Sequence, residues 1–306
     1  MRRYLARRLL LLVPVVWGVS TLVFFLIHVI PGDPIEVMLG ETALAADRAA
    51  LRRELRLDVP LSAQYLVFLR GLARLDLGRS LFEPRPVWEA IRTALPATAE
   101  LSGAALAIAL LIAVPLGTLA AVKRDTFLDR GAMLLALLGV SIPNFVLAPL
   151  LVLAFPIALG ILPVSGRGGF AGLVLPAATL GAGMAGILSR MVRSSLLEVL
   201  RQDFITAALA KGLSRRRVVL KHALRTALIP VLTLAGLQLG GLLSGAIITE
   251  TIFAWPGLGR LTFQAIQSRD YPLVQGCVLI IALAYVLVNL ATDLLYAAAD
   301  PRVRYR

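Results

Sequence analysis

The sequence predicts an all-α integral membrane protein: six transmembrane helices, with a helical extracytoplasmic insertion between the first and the second. Three observations carry that reading. Mean hydropathy is +0.84 and 58% of the 306 residues are hydrophobic, above the roughly 45–50% apolar content of soluble domains. Six apolar runs are each long enough, at about 1.5 Å rise per residue, to cross most or all of a hydrocarbon layer roughly 30 Å thick. The short connections richest in basic residues all fall on one side of the expected membrane.

The start, MRRYLARR, imitates a signal peptide. The apolar stretch that follows is too long for one, and no small-residue cleavage site precedes Pro31. It reads as an uncleaved first span, about Leu9–Ile30. Pro31-Gly32-Asp33-Pro34 stops that span abruptly and opens the 31–100 insertion. Within it, Leu44, Leu51 and Leu55 recur at helical spacing among charges, and Leu61, Tyr65, Phe68, Leu72 and Leu75 form a second stripe behind Pro60. Pro86, Val87, Ile91 and Leu95 suggest a third short helix. Such helices suit a membrane surface or the cap of a bundle.

Span two is about Leu101–Val122, with Pro115 inside it; span three is about Ala132–Leu159, with Pro143, Pro149 and Pro156. Membrane helices tolerate such prolines where neighbours satisfy the freed carbonyls. Span four, about Leu173–Leu188, carries Gly181, Gly183 and Gly186. Span five, about Ile229–Ile252, carries Gly236-x-x-x-Gly240 and Gly241-x-x-x-Gly245. This small-residue spacing lets helices approach closely. Span six is about Val274–Ala299 and holds the single cysteine, Cys277, which reads as a packing residue.

Charge sets the orientation. With the N-terminus inside, 19 of the 31 Lys and Arg fall on inner segments, against five acids there. Short basic loops stay cytoplasmic, so both termini are expected in the cytoplasm. The net charge of +13 thus reflects topology, and nucleic acid is not an expected partner.

Several chemistries are missing from the sequence. No G-x-x-x-x-G-K-[ST] is present, so no P-loop binds ATP. His28, His222 and Cys277 are too scattered to hold a metal, and neither histidine sits deep in a span beside a nucleophile. No catalytic residue is expected. Glu250 and Asp293 lie near span ends, where a proton-coupled carrier would want carboxylates near the midplane.

Between spans four and five lies a polar, basic stretch, 190–229. Its second half parses as two short helices. Asp203 is a suitable N-cap for Phe204–Lys211, and Gly212 sits where a left-handed C-cap residue belongs. Ser214 then caps a second helix with Leu220, Leu224 and Leu228 on one face, and Pro230 marks the start of span five. A charge anchor would need the Lys and Arg but not the turn.

Thr206-Ala207-Ala208-x-x-x-Gly212, with Leu213 and the run from His222-Ala223-Leu224-Arg225 to Ile229-Pro230, resembles the cytoplasmic EAA loop of ABC-importer permeases. The version it is most similar to is that of dipeptide, oligopeptide and nickel permeases. The likeness extends along the chain through Pro31-Gly32-Asp33-Pro34, Ser141-Ile142-Pro143, the run Glu250-Thr251-Ile252-Phe253-Ala254-Trp255-Pro256-Gly257-Leu258-Gly259-Arg260, and Arg269-Asp270-Tyr271-Pro272.

The resemblance implies one type I importer transmembrane domain over 1–306. It also implies a second, homologous permease subunit, two ATPase subunits that use ATP and Mg, a solute-binding protein outside, and a bacterial or archaeal cytoplasmic membrane with its lipid. This chain itself would hold no cofactor or metal. Asp203, Phe204, Thr206, Ala207, Ala208, Lys211 and Gly212 would form the helix that couples to the ATPase, with Ala207 and Ala208 as its small, close-approach face. Glu250, Trp255, Pro256, Gly257, Gly259 and Arg260 are candidates for an outer gate or a binding-protein dock. Peptide is the expected solute; nickel, glutathione or another small solute is the alternative. Thr206 stands where the wider family has Glu, so no ion pair from that position is assumed.

Overall fold

The computed structural model describes residues 2–29, 34–39, 44–54, 57–83 and 85–299. Its helices are α1 (Arg2–Val29), α2 (Pro34–Leu39), α3 (Ala45–Glu54), α4 (Leu61–Ala73), α5 (Val87–Val122), α6 (Phe127–Ser141) and α7 (Asn144–Val152). They continue as α8 (Phe170–Val199), α9 (Asp203–Ala210), α10 (Arg215–Arg217), α11 (Leu224–Gly245), α12 (Ile247–Ile252), α13 (Leu258–Ser268) and α14 (Tyr271–Ala299). Two π-helical turns, Leu153–Ala158 and Val218–Ala223, follow α7 and α10. The chain divides into two compact units, Met1–Thr98 with Pro256–Ala284, and Ala99–Trp255 with Tyr285–Arg306.

Among the described residues, four helices are long and apolar enough to cross a membrane: Val87–Val122, Phe170–Val199, Arg215–Leu243 and Tyr271–Tyr296. The bent pair Phe127–Ser141 and Asn144–Ala158 makes a fifth if it is one span. α1 covers the expected first span, with its described apolar stretch at Val13–Phe25.

Three span boundaries differ from expectation. Span three is broken, with its halves at 100°. Ile142 is extended (φ −87°, ψ 114°) because the ring of Pro143 disfavours helix in the residue before it. Pro149 and Pro156 lie in α7 and its π-helical extension, where a widened turn absorbs a missing amide. Span two has no separate short helix before it: Val87–Leu95 is the start of the 36-residue α5, about 54 Å long at the usual rise. Span five does not begin at Pro230, which lies inside α11 on a helical path unbroken from Arg215. That path ends instead at Ala246, before α12.

In the first unit, the insertion's aromatic stripe docks on α1. Thr21 Oγ1 and the Tyr65 hydroxyl lie 2.6 Å apart, and Phe24 packs against Tyr65 and Phe68. Pro34 opens α2 at the position that tolerates a missing amide. Pro31, Gly32, Asp33 and Leu55 lie outside the described residues. The core joins Val23, Val87, Ile91, Leu258, Val274 and Cys277, so the thiol is a buried packing group. In the Arg269-Asp270-Tyr271-Pro272 run, Asp270 caps the start of α14: its carboxylate accepts the Leu273 amide at 3.2 Å and the Ser80 hydroxyl.

In the second unit, α8 is the axis. Its buried residues run from Gly172 to Val199 and meet α6, α7 and α11. A Cβ on Gly186 would come within 2.2 Å of the Ala136 carbonyl, and one on Gly181 within 2.9 Å of that of Ala105. Only glycine allows these crossings.

Candidate functional site

The basic stretch folds as a short helix pinned by its neighbours. Gln202 (φ −80°, ψ 149°), one residue earlier than expected, occupies the N-cap of α9 without a side-chain bond. Asp203 is therefore the first helical residue, where a carboxylate favours the positive end of the helix dipole. The C-terminus closes as expected from Gly212, which adopts φ +83°. Its amide donates to the Leu209 carbonyl at 2.9 Å, and the Leu213 amide donates to that of Ala208 at 3.3 Å. This pair of bonds is a Schellman closure.

Ile205, absent from the expected set, is the anchor. It is 4% exposed and packs with Ala121, Leu196, Val199, Val218, Val219, Ala223 and Ala227. Ala208 and Leu213 lean on the same cluster. That corrects the expected small face: Ala208 points into the protein, three residues along the helix from Ile205, and the free face holds Ala207 instead. Asp203, Phe204, Thr206, Ala207, Lys211 and Gly212 are all exposed. Phe204 and Leu209, also missed as exposed apolar groups, are 41% and 44% exposed. An eight-residue helix with apolar side chains on both faces is held from one side and open on the other.

Near this helix, α8 is clamped to the start of α6. Arg193 donates Nε to Asp129 Oδ1 and Nη2 to Asp129 Oδ2, both at 2.7 Å. The same carboxylate accepts the Asp125 amide at 3.0 Å. Asp129 is 3% exposed.

The second candidate set is divided between the units. Glu250 and Trp255 belong to the second, and both are fully buried. An aromatic-belt tryptophan faces lipid headgroups; Trp255 does not. The Trp255 amide donates to the Glu250 carbonyl at 2.8 Å, and the Gly166 amide donates to that of Phe253 at 2.8 Å. The Arg167 guanidinium lies 5.9 Å from the Trp255 ring centre and donates Nε to Glu100 Oε2 at 2.9 Å. Neither Arg167 nor Glu100 was expected from sequence. Together they fasten the 160–169 loop over a buried indole.

Pro256, Gly257, Gly259 and Arg260 belong to the first unit. They start a helix and do not form a free-standing turn: Gly257 is the N-cap of α13, and the Leu258 amide donates to Thr98 Oγ1 at 2.7 Å. Gly257 and Gly259 are buried and Arg260 is half-buried.

Comparison with known proteins places these features in a family context. The family of binding-protein-dependent transport system inner membrane components matches residues 113–305, and its N-terminal membrane component matches residues 1–102. The chain is 44% identical to the di/tripeptide transport system permease protein DppB of Pseudomonas aeruginosa and 43% identical to the dipeptide permease DppB of Escherichia coli K12, over the full length of both chains in each case. It is 42% identical, again at full length, to the glutathione permease GsiC of Salmonella choleraesuis. Among solved structures, an inward-facing form of the MetNI methionine ABC transporter superposes with a TM-score of 0.57 at 22% identity, covering 70% of this chain and 97% of that one. An amino acid ABC transporter gives 0.51 at 16% identity, covering 70% and 94%. These two likenesses establish the fold.

Proposed function

We propose that this chain, which belongs to the family of binding-protein-dependent transport system inner membrane components, forms half of an inward pathway for di- and oligopeptides. A second, homologous permease supplies the other half. Two separate ATPase subunits bind ATP and Mg, and an extracytoplasmic binding protein delivers the peptide. Both termini and α9 lie on the cytoplasmic side, as the distribution of Lys and Arg favours. The peptide assignment rests on full-length similarity to permeases named for di- and tripeptides; glutathione, the solute in another relative's name, is itself a tripeptide.

One observation carries the mechanism: α9 is anchored by Ile205 while Phe204, Ala207 and Lys211 stay exposed. An ATPase groove that takes this face gains a grip on α8 and α11 at once, because Ile205 sits among residues of both. α8 spans about 45 Å at the usual rise. It runs from the end of the loop that holds Arg167 over Trp255 down to the turn before α9. The Arg193–Asp129 clamp makes α6 move with it. Nucleotide binding in the ATPases shifts α9, α8 transmits the shift, and the outer end opens or closes. Different affinities of the ATPases and the binding protein for the two states set the populations. The test is to purify the tagged chain with its partners and identify the ligand in the co-purifying binding protein: a peptide supports the assignment, and a metal ion alone overturns it.

A further inference from the structure

A groove near the coupling helix, between α5 and the helical path that leads into α11, has almost wholly aliphatic walls apart from two arginines. It has a volume of about 580 Å³ and is lined by Val114, Pro115, Thr118, Leu119, Val122 and Leu220, among others, with Arg215 and Arg216 also in its lining. That volume lies within the roughly 300–1,000 Å³ of small-molecule sites. The wall has a single hydroxyl, Thr118, whose oxygen is buried and has no partner among the described residues. Leu119 and Leu220 are 42% and 50% exposed. Among the described residues, neither Arg215 nor Arg216 enters an ion pair. Lys123 and Arg124 follow directly after the groove's last α5 residue, Val122.

We infer that this groove binds an anionic phospholipid, with an acyl chain along α5 and the headgroup phosphate at Arg215 and Arg216. An aliphatic trough at the end of a membrane span with guanidinium groups in its wall matches a lipid in both polarity and charge. Basic pockets between spans on the cytoplasmic side favour such headgroups. A guanidinium forms paired hydrogen bonds with phosphate, which the zwitterionic alternative engages less because it carries its own cation. The site lies on the second unit alone and does not depend on which solute is carried.

The test uses the permease purified within its complex, delipidated and titrated with phosphatidylglycerol or phosphatidylcholine under native mass spectrometry. The expected preference for phosphatidylglycerol is roughly fivefold per guanidinium, about 25-fold for the pair. The Arg215→Gln/Arg216→Gln variant should lose that preference, and Leu220→Trp, which fills the groove, should lose the bound lipid. Both changes are at exposed positions outside the helix cores. Equal retention of the two lipids, or a preference that survives in the double variant, would overturn the site. So would Leu119→Cys cross-linking in membranes to a helix of the second permease, since a protein partner would then cover the groove.

Discussion

Replacing Ile205 by Ala tests the link between packing and coupling most sharply. The side chain is 4% exposed, so truncation removes buried carbons and leaves a cavity, at a cost of about 2–5 kcal/mol for this class of change. An eight-residue helix has almost no stability of its own. The loss therefore falls on the docking of α9, not on the membrane spans. Amides of residues 205–213 should exchange roughly thirty-fold faster or more, by the usual tenfold per 1.4 kcal/mol. ATPase recovered per permease should fall while the amount of permease in the membrane is unchanged. Two neighbours sort the mechanism. Ala208→Trp overpacks the inner side, costing about 1–3 kcal/mol, and should resemble Ile205→Ala. Ala207→Trp faces outward and should leave exchange protection intact while still displacing the ATPase. If Ile205→Ala keeps both protection and ATPase, or if Ala207→Trp and Ala208→Trp behave alike in exchange, the anchored-helix reasoning is wrong.

Three further outcomes follow from the same geometry. Gly212→Val places a β-branched residue at φ +83° and should lose the Schellman closure and ATPase recovery, whereas Gly212→Asn, which tolerates that region, should retain most of both. Asp129→Asn leaves Arg193 without its carboxylate; losing the charge-assisted bonds of this part-buried pair costs about 1.5–3 kcal/mol, read as a lower melting temperature of the purified complex, and an unchanged melting curve would deny the clamp. Arg167→Ala removes a half-exposed ion pair and a cation–π contact worth together up to about 2 kcal/mol. It should raise ATP hydrolysis in the absence of loaded binding protein, on the order of tenfold; an unchanged basal rate counts against a latch at Trp255.

Among the described residues, four spans and the bent fifth were legible because hydropathy over twenty residues is a strong local signal, and α9 was legible because a turn glycine ends it at Gly212. Both depend on neighbours in sequence. The break at Ile142-Pro143 was also written locally, yet prolines are common enough in membrane helices that Pro143 alone does not distinguish a 100° bend from the mild accommodation at Pro230. The rotation of α9 was within reach: Ile205, its bulkiest aliphatic before Leu209, puts Ala208 on its own side at i+3 and leaves Ala207 outside. The Arg193–Asp129 and Arg167–Glu100 pairs were not within reach. Their partners lie 64 and 67 residues apart, and only the packing of α8 and the fold of the 160–169 loop bring them together. Trp255 was singled out by its motif as a candidate for a gate or dock, but its full burial, which sets it apart from an interfacial anchor, is a tertiary fact.

The central claim is that this chain moves peptide only as the membrane half of an ATP-driven assembly. The direct measurement is uptake of a labelled dipeptide into proteoliposomes, with the chain reconstituted alone under an imposed proton gradient and, in parallel, with its second permease, ATPases and loaded binding protein plus ATP. The account predicts accumulation only in the complete assembly, and its loss when Ile205→Ala replaces the native chain. Accumulation by the chain alone, driven by the proton gradient, would contradict it.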